Sequence, residues 1–249
     1  MKKKVFSIGT GVFGEGKPKI CVPIVEKTRE EILKRAEEIA KLSIDVVEWR
    51  GDFYQDIEYR DKVLDTLRGI KQRIDKKALL FTFRTAGEGG EKELERENYY
   101  DLNEAVACEK ADFIDIEAFL EEERTYREIE RLHRTGVRVI ASNHDFYKTP
   151  EVGEMVRRLK KMEDMGADVA KLAVMPVKKM DVIRLLEATV IAEEEMEIPV
   201  VTMSMGQMGV ISRVSGGLTG AAMTFAAVGK ASAPGQIAVE DMRKMLDVI

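Results

Sequence analysis

The chain has 249 residues, is 45% hydrophobic and 34% charged, and carries a net charge of −5. That is enough apolar material for a sizeable core, and with no basic tract beyond Lys2 to Lys4 it excludes nucleic acid and anionic membrane as main partners. No run approaches the roughly 18 apolar residues of a membrane span, and no signal peptide precedes the first strand, so a cytoplasmic location is expected. Cys21 and Cys108 both sit in apolar contexts and read as two buried thiols in a reduced compartment.

Residues 4–16 hold two short apolar pieces around a Gly-Thr-Gly turn. Gly9, Gly11 and Gly14 match G-x-G-x-x-G, but the stretch leads into Pro18 and another strand rather than a helix. It reads as a β-hairpin, not a dinucleotide site. Strands and helices then alternate. Lys19 to Val25 is the first strand, and Thr28 with Glu31 forms a capping box for a helix to about Leu42. Ile44 to Trp49 is a strand, Ile57 to Arg73 a helix, Ala78 to Phe83 a strand, and Glu91 to Glu109 a helix. Phe113 to Ala118 is a strand, Glu121 to Arg134 a helix, and Val137 to Ser142 a strand. Thr149 with Pro150 caps a helix to about Met165. Ala167 to Pro176 is a strand, Val177 to Met196 a helix, and Ile198 to Met203 a strand. An eighth strand falls near Thr224 to Val228, and Gln236 to Val248 closes as a helix. No linker or composition shift divides residues 1–249, which read as one domain. Eight such units predict a (β/α)₈ barrel, with a doubly wound open sheet as the other arrangement.

A barrel places its chemistry at the C-terminal ends of the strands. Lys171 lies inside the apolar run Ala167 to Pro176, where a charge is costly unless paired or neutral. It is either a strand-end lysine paired with a carboxylate or a carbonyl nucleophile. Glu48 and Arg50 alternate onto one face and read either as an ion pair or as two groups facing one cavity. Arg84 ends the third strand, and Glu88 follows in a glycine-rich loop. Asp115 and Glu117 share one face of the fourth strand and call for cations, which the arginines can supply. His144 stands at the end of the fifth strand, while His133 sits in a charged helix and reads as exposed. On neighbouring strands, Lys171 and His144 can face one pocket. A desolvated lysine near cations favours its neutral amine, which can form an imine with a ketone. A nearby histidine can then move the proton that the imine acidifies, with Glu88 accepting its other N–H. Met203 and Met205 read as core or as pocket wall. Arg213, in the glycine-rich stretch Gly209 to Gly220, can clamp a carboxylate. Ser232 and Gln236 belong to a small-residue loop, either a lid or ordinary surface.

The segments V-E-W-R (Val47 to Arg50), F-T-F-R-T (Phe81 to Thr85) with Glu88, S-N-H-D (Ser142 to Asp145), A-K-L-A (Ala170 to Ala173), S-M-G with Arg213, and A-P-G-Q (Ala233 to Gln236) together resemble the type I 3-dehydroquinate dehydratase family, over nearly the whole chain. The resemblance implies a (β/α)₈ barrel whose N-terminal hairpin closes the bottom, a homodimer, and no metal or organic cofactor. It implies conversion of 3-dehydroquinate to 3-dehydroshikimate and water in the shikimate pathway. Lys171 matches the Schiff-base lysine, His144 the general acid/base, and Glu88 its carboxylate partner. Glu48, Arg50, Arg84, Arg213, Ser232 and Gln236 match substrate-binding positions, and Met203, Met205 and Phe225 pocket-wall positions. Pro23 stands where some members carry a serine. Two other readings are a class I barrel aldolase, which would favour a phosphate site near strands seven and eight, and a binding protein, which has no need of Lys171 and His144.

Overall fold

A computed structural model describes residues 4–9, 11–228 and 235–248. The chain begins with an antiparallel hairpin of β1 (Phe6–Ile8) and β2 (Gly11–Phe13). The barrel strands follow in chain order: β3 (Lys19–Ile24), β4 (Val46–Arg50), β5 (Ala78–Thr82), β6 (Phe113–Glu117), β7 (Arg138–Asp145), β8 (Val169–Val174), β9 (Val200–Ser204) and β10 (Met223–Ala227). Between them run α1 (Arg29–Ala40), α2 (Arg60–Arg73), α3 (Arg96–Cys108), α4 (Glu122–His133), α5 (Val152–Asp164) and α6 (Lys179–Glu195). The short helices α7 (Val210–Val214) and α8 (Gly216–Thr219) lie between β9 and β10. A two-residue strand, β11 (Ile237–Ala238), precedes the closing helix α9 (Val239–Val248).

Neighbouring barrel strands pair in parallel from β10 through β3 to β9, so the sheet curls on itself as a (β/α)₈ barrel. At the seam β9 and β10 share no ladder among the described residues. There Ala222 N donates to Val200 O at 2.8 Å. Alternation divides each strand into two sets of side chains. One set, including Val22, Trp49, Phe81, Ile116, Ala141 and Leu172, packs against the helices. The other faces the barrel axis. Its first layer is apolar: Val46, Ala78, Phe113, Val169 and Met223 pack against Phe6, Ile8 and Phe13 of the hairpin. Phe6 and Phe13 stack at 5.3 Å and both tilt onto Phe113, so the hairpin plugs the N-terminal mouth. Gly9 makes that plug possible: its φ is +50°, and a Cβ there would lie 2.3 Å from the Lys76 carbonyl oxygen.

Sequence and structure differ mainly where loops meet helices. The capping box of α1 forms as expected, with Thr28 Oγ1 accepting from Glu31 N and Glu31 Oε2 from Thr28 N. The expected cap at Thr149 does not form. Helix α5 starts after Glu151 without a side-chain cap, and the Thr149 hydroxyl donates to Met175 O. Helices α2, α3 and α6 start later than expected because their first residues belong to loops over the barrel mouth. Strand β7 runs on through Asp145, which puts His144 within the ladder, opposite Ala173. Cys21 is buried, but Cys108 is exposed at the end of α3. His133 is exposed and also lies 2.8 Å from Asp168 Oδ2. Pro23 falls beyond the last register pair of β3 with β10, Cys21 opposite Phe225, so its missing N–H interrupts no ladder bond on that side. No helix among the described residues is long and apolar enough to cross a membrane.

Candidate active site

Above the apolar layer the axis-facing residues turn polar. The register sets Arg50, Thr82 and Asp115 opposite one another across β4, β5 and β6. It sets Glu117, Ser142 and Lys171 opposite one another across β6, β7 and β8. Period-two strands β4 to β8 thus direct polar and charged groups into one mouth, which holds a cavity of about 220 Å³. Glu48, Arg50, Arg84, Glu88, His144, Lys171, Met203, Met205, Arg213, Phe225 and Gln236 all line it. Ser232 lies outside the described residues. The volume suits one small molecule rather than a polymer.

Asp115 organises the cations. It is fully buried, with Oδ2 2.9 Å from Lys171 Nζ and Oδ1 2.7 Å from an Arg84 guanidinium nitrogen. The Ser142 hydroxyl donates to the same Oδ1 at 2.6 Å. Burial alone would raise this carboxyl, but Arg84 and Lys171 outweigh it and hold it well below the usual range. Arg84 also reaches Glu117 at 3.1 Å, and Glu117 accepts from the backbone N–H and hydroxyl of Thr85. Both readings of Lys171 meet here: it is paired, and its ammonium also lies 4.8 Å from the Phe225 ring centroid inside the cavity.

His144 Nδ1 lies 2.8 Å from Glu88 Oε2, which leaves Nε2 as the ring nitrogen available to a bound molecule. Burial, then the charges of Arg84 and Lys171, push the imidazole well below its ordinary value and keep it neutral. Burial likewise pushes the Glu88 carboxyl up, to about 8. The Phe146 ring stacks on His144 at 6.4 Å and forms part of the cavity wall.

Glu48 and Arg50 share the cavity without pairing. Glu48 accepts from the Thr82 hydroxyl at 2.8 Å, whereas Arg50 binds Asp52 through two 2.7 Å hydrogen bonds. Asp52 also accepts from Glu91 N, so one buried carboxylate ties Arg50 to the loop that carries Glu88. Arg213 is buried beside Met203, and burial lowers its guanidinium to about 10. The glycine-rich stretch around it forms a 3₁₀ turn and two short helices rather than one helix start.

Sequence reasoning left Asp52, Asp115, Glu117, Ser142, Asn143 and Phe146 off the list of site residues. The signal for Asp115 and Glu117 was visible as two carboxylates alternating within an otherwise apolar strand. Asp52 carried no signal, because its role depends on the turn Gly51–Phe53 folding it back onto Arg50.

A (β/α)₈ barrel with an inward lysine and an inward histidine on adjacent strands fits an enzyme of the Schiff-base class, acting on a small carbonyl compound. The family model for type I 3-dehydroquinase matches residues 20–249, and the chain belongs to that family. It is 49% identical over 238 residues to the 3-dehydroquinate dehydratase of Listeria welshimeri, covering 95% of this chain and 94% of the relative. It is 46% identical over 249 residues to that of Bacillus licheniformis, covering 99% and 98%. The crystal structure of type I 3-dehydroquinate dehydratase from Clostridium difficile with covalently modified comenic acid superposes with a TM-score of 0.95. The two are 41% identical, with 99% of this chain and 98% of that chain covered.

Proposed function

We propose that Lys171 forms the imine, that His144 moves the protons, and that Glu88 holds His144 in its basic form. As a member of the type I family the chain dehydrates 3-dehydroquinate to 3-dehydroshikimate, a hydro-lyase step of the shikimate pathway that runs through a Schiff base. The observation that carries the assignment is Lys171 Nζ, 2.9 Å from buried Asp115, in one cavity with neutral His144.

The Lys171 ammonium gives up a proton as its amine attacks the substrate ketone, and the carbinolamine hydroxyl takes a proton up as it leaves, so that ammonium and ketone become a protonated imine and water. One cation replaces another, so Asp115 serves as counterion throughout and the buried site gains no net charge. The imine withdraws electrons and acidifies C2. Nε2 of His144 takes that proton, giving an imidazolium paired with the Glu88 carboxylate, and returns a proton to the C1 hydroxyl as it leaves as water. Hydrolysis of the imine restores Lys171 and releases product. Arg213 receives the substrate carboxylate. Glu48, Arg50, Arg84 and Gln236 receive its hydroxyls, together with Ser232, which lies outside the described residues. Met203, Met205 and Phe225 wall the ring.

The covalently modified comenic acid in the Clostridium difficile structure is consistent with a nucleophile in this site. The same reading takes the chain as a cytoplasmic homodimer. Met180 and Ile183 of α6, and Ile211 and Leu218 of the α7 and α8 helices that contact it, are exposed apolar side chains available to a second copy. A lysine imine beside a general base could also cleave a C–C bond, so what favours dehydration over the aldolase reading is the match to the type I 3-dehydroquinase family.

The test is His144→Ala. Turnover should fall by about 10²–10⁴-fold while borohydride still traps an imine at Lys171. Parental turnover in that variant would remove His144 from the mechanism.

A further inference from the structure

The reaction uses neither Asn143, in the segment Ser142-Asn143-His144-Asp145, nor Arg158 of α5. Neither Asn143 nor Arg158, which touches it from α5, lines the cavity. Arg158 NH1 donates to Asn143 Oδ1 at 3.1 Å. A guanidinium cannot accept, so it fixes which end of the amide faces it. Asn143 Nδ2 is therefore turned to Glu88 Oε1, at 2.9 Å. Glu88 Oε2 accepts the His144 backbone N–H at 3.0 Å, a donor in every protonation state. With both oxygens occupied as acceptors, the remaining contact to His144 Nδ1 is favoured as Nδ1–H to carboxylate once the pH is above the value near 8 to which burial raises Glu88. Nε2 is then unprotonated and faces the cavity. Arg158 is itself held by Glu154, whose Oε1 accepts from Nε at 2.8 Å, with Asp145 Oδ2 3.9 Å away.

We propose that Asn143 and Arg158 are positioning residues that set the tautomer of His144 through Glu88, linking an outer helix to the base. The inference rests on the reading of His144 as the proton-transfer group. Other charges face this pair from the packed strands: Arg84 at 3.6 Å from Glu88, Asp115 and Glu117 of β6, Lys171 of β8 and Arg50 of β4. They are unchanged by substitution at Arg158. Burial raises the Glu88 carboxyl, and the Asn143 amide is one of the groups opposing it. Loosening that amide lets Glu88 keep its proton to higher pH and donate to Nδ1. The ring then carries its hydrogen on Nε2 and cannot act as base.

The experiment measures kcat and KM from mildly acid to alkaline pH for the parent, Arg158→Met, Arg158→Lys, Asn143→Ala and His144→Ala, with calorimetric midpoints and borohydride trapping for each. Arg158→Met and Asn143→Ala should lower kcat about tenfold near neutrality with KM within about twofold. The deficit should shrink as pH rises, trapping at Lys171 should persist, and Arg158→Lys should recover most of the loss. A kcat deficit equal at every pH, or parental profiles in both variants while His144→Ala is inactive, overturns the tautomer control alone. Parental turnover in His144→Ala overturns the reading beneath it. Persistent trapping distinguishes a shifted tautomer from a damaged fold.

Discussion

Replacing Lys171 by Met removes the cation 2.9 Å from Asp115 while keeping most of the side-chain volume beside Phe225. Removing one partner of a buried pair usually costs about 3–5 kcal/mol, because the other charge is orphaned. Asp115 is not orphaned here: it keeps the Arg84 guanidinium at 2.7 Å and the Ser142 hydroxyl at 2.6 Å. The expected loss is therefore nearer 2 kcal/mol, which for a chain of this length lowers the midpoint by about 4–8 °C. Differential scanning calorimetry reads the stability, and absorbance of the conjugated enone product reads turnover. The variant should unfold cooperatively, a few degrees early, with no turnover above background. Failure to fold would make Lys171 a structural cation first, and measurable turnover would refute its role as nucleophile.

Arg213→Ala should raise KM about 30-fold, the equivalent of one charge-assisted carboxylate contact of ~2 kcal/mol, with a smaller change in kcat. An unchanged KM would remove the carboxylate clamp. The Glu88–His144 pair takes up a proton as pH falls through the value near 8 to which burial raises Glu88, and either placement of that proton blocks Nε2. Activity should therefore decline toward acid pH, and a rate rising toward acid pH would contradict a neutral base. Away from the site, Asp168 accepts from His133, Val139 N, Arg138 and Lys4. Burial opposes its ionisation, but those partners outweigh it and hold the carboxyl at about 2 instead of 3.8. After allowance for solvent screening this contributes about 1–2 kcal/mol, fully present above the unfolded value and lost as pH falls toward 2. Urea unfolding of Asp168→Asn should show that deficit at neutral pH and little near pH 2, and an equal deficit at both would point to packing instead.

Much of the site was legible because strand alternation is local. Glu48 and Arg50, Asp115 and Glu117, and Lys171 within its apolar run all point inward for the same geometric reason. Partnership was not legible, because it depends on shear between strands and on how loops fold back. Arg50 belongs to Asp52 two residues later, not to Glu48 two residues earlier. Lys171 of β8 and Asp115 of β6 meet past the intervening strand β7 although 56 residues apart in sequence. The late start of α3 has the same origin: Gly90 and Glu91 are held by Thr85 O and Asp52, so the loop is spent on placing Glu88. Cys108 was misread because apolar neighbours on a helix do not say which face a residue occupies.

The most direct measurement is intact-protein mass spectrometry, with peptide mapping, after mixing the protein with 3-dehydroquinate and sodium borohydride. The account predicts a stable adduct confined to Lys171, absent from Lys171→Met and present in His144→Ala. Turnover without any adduct, or an adduct on another lysine, would contradict it.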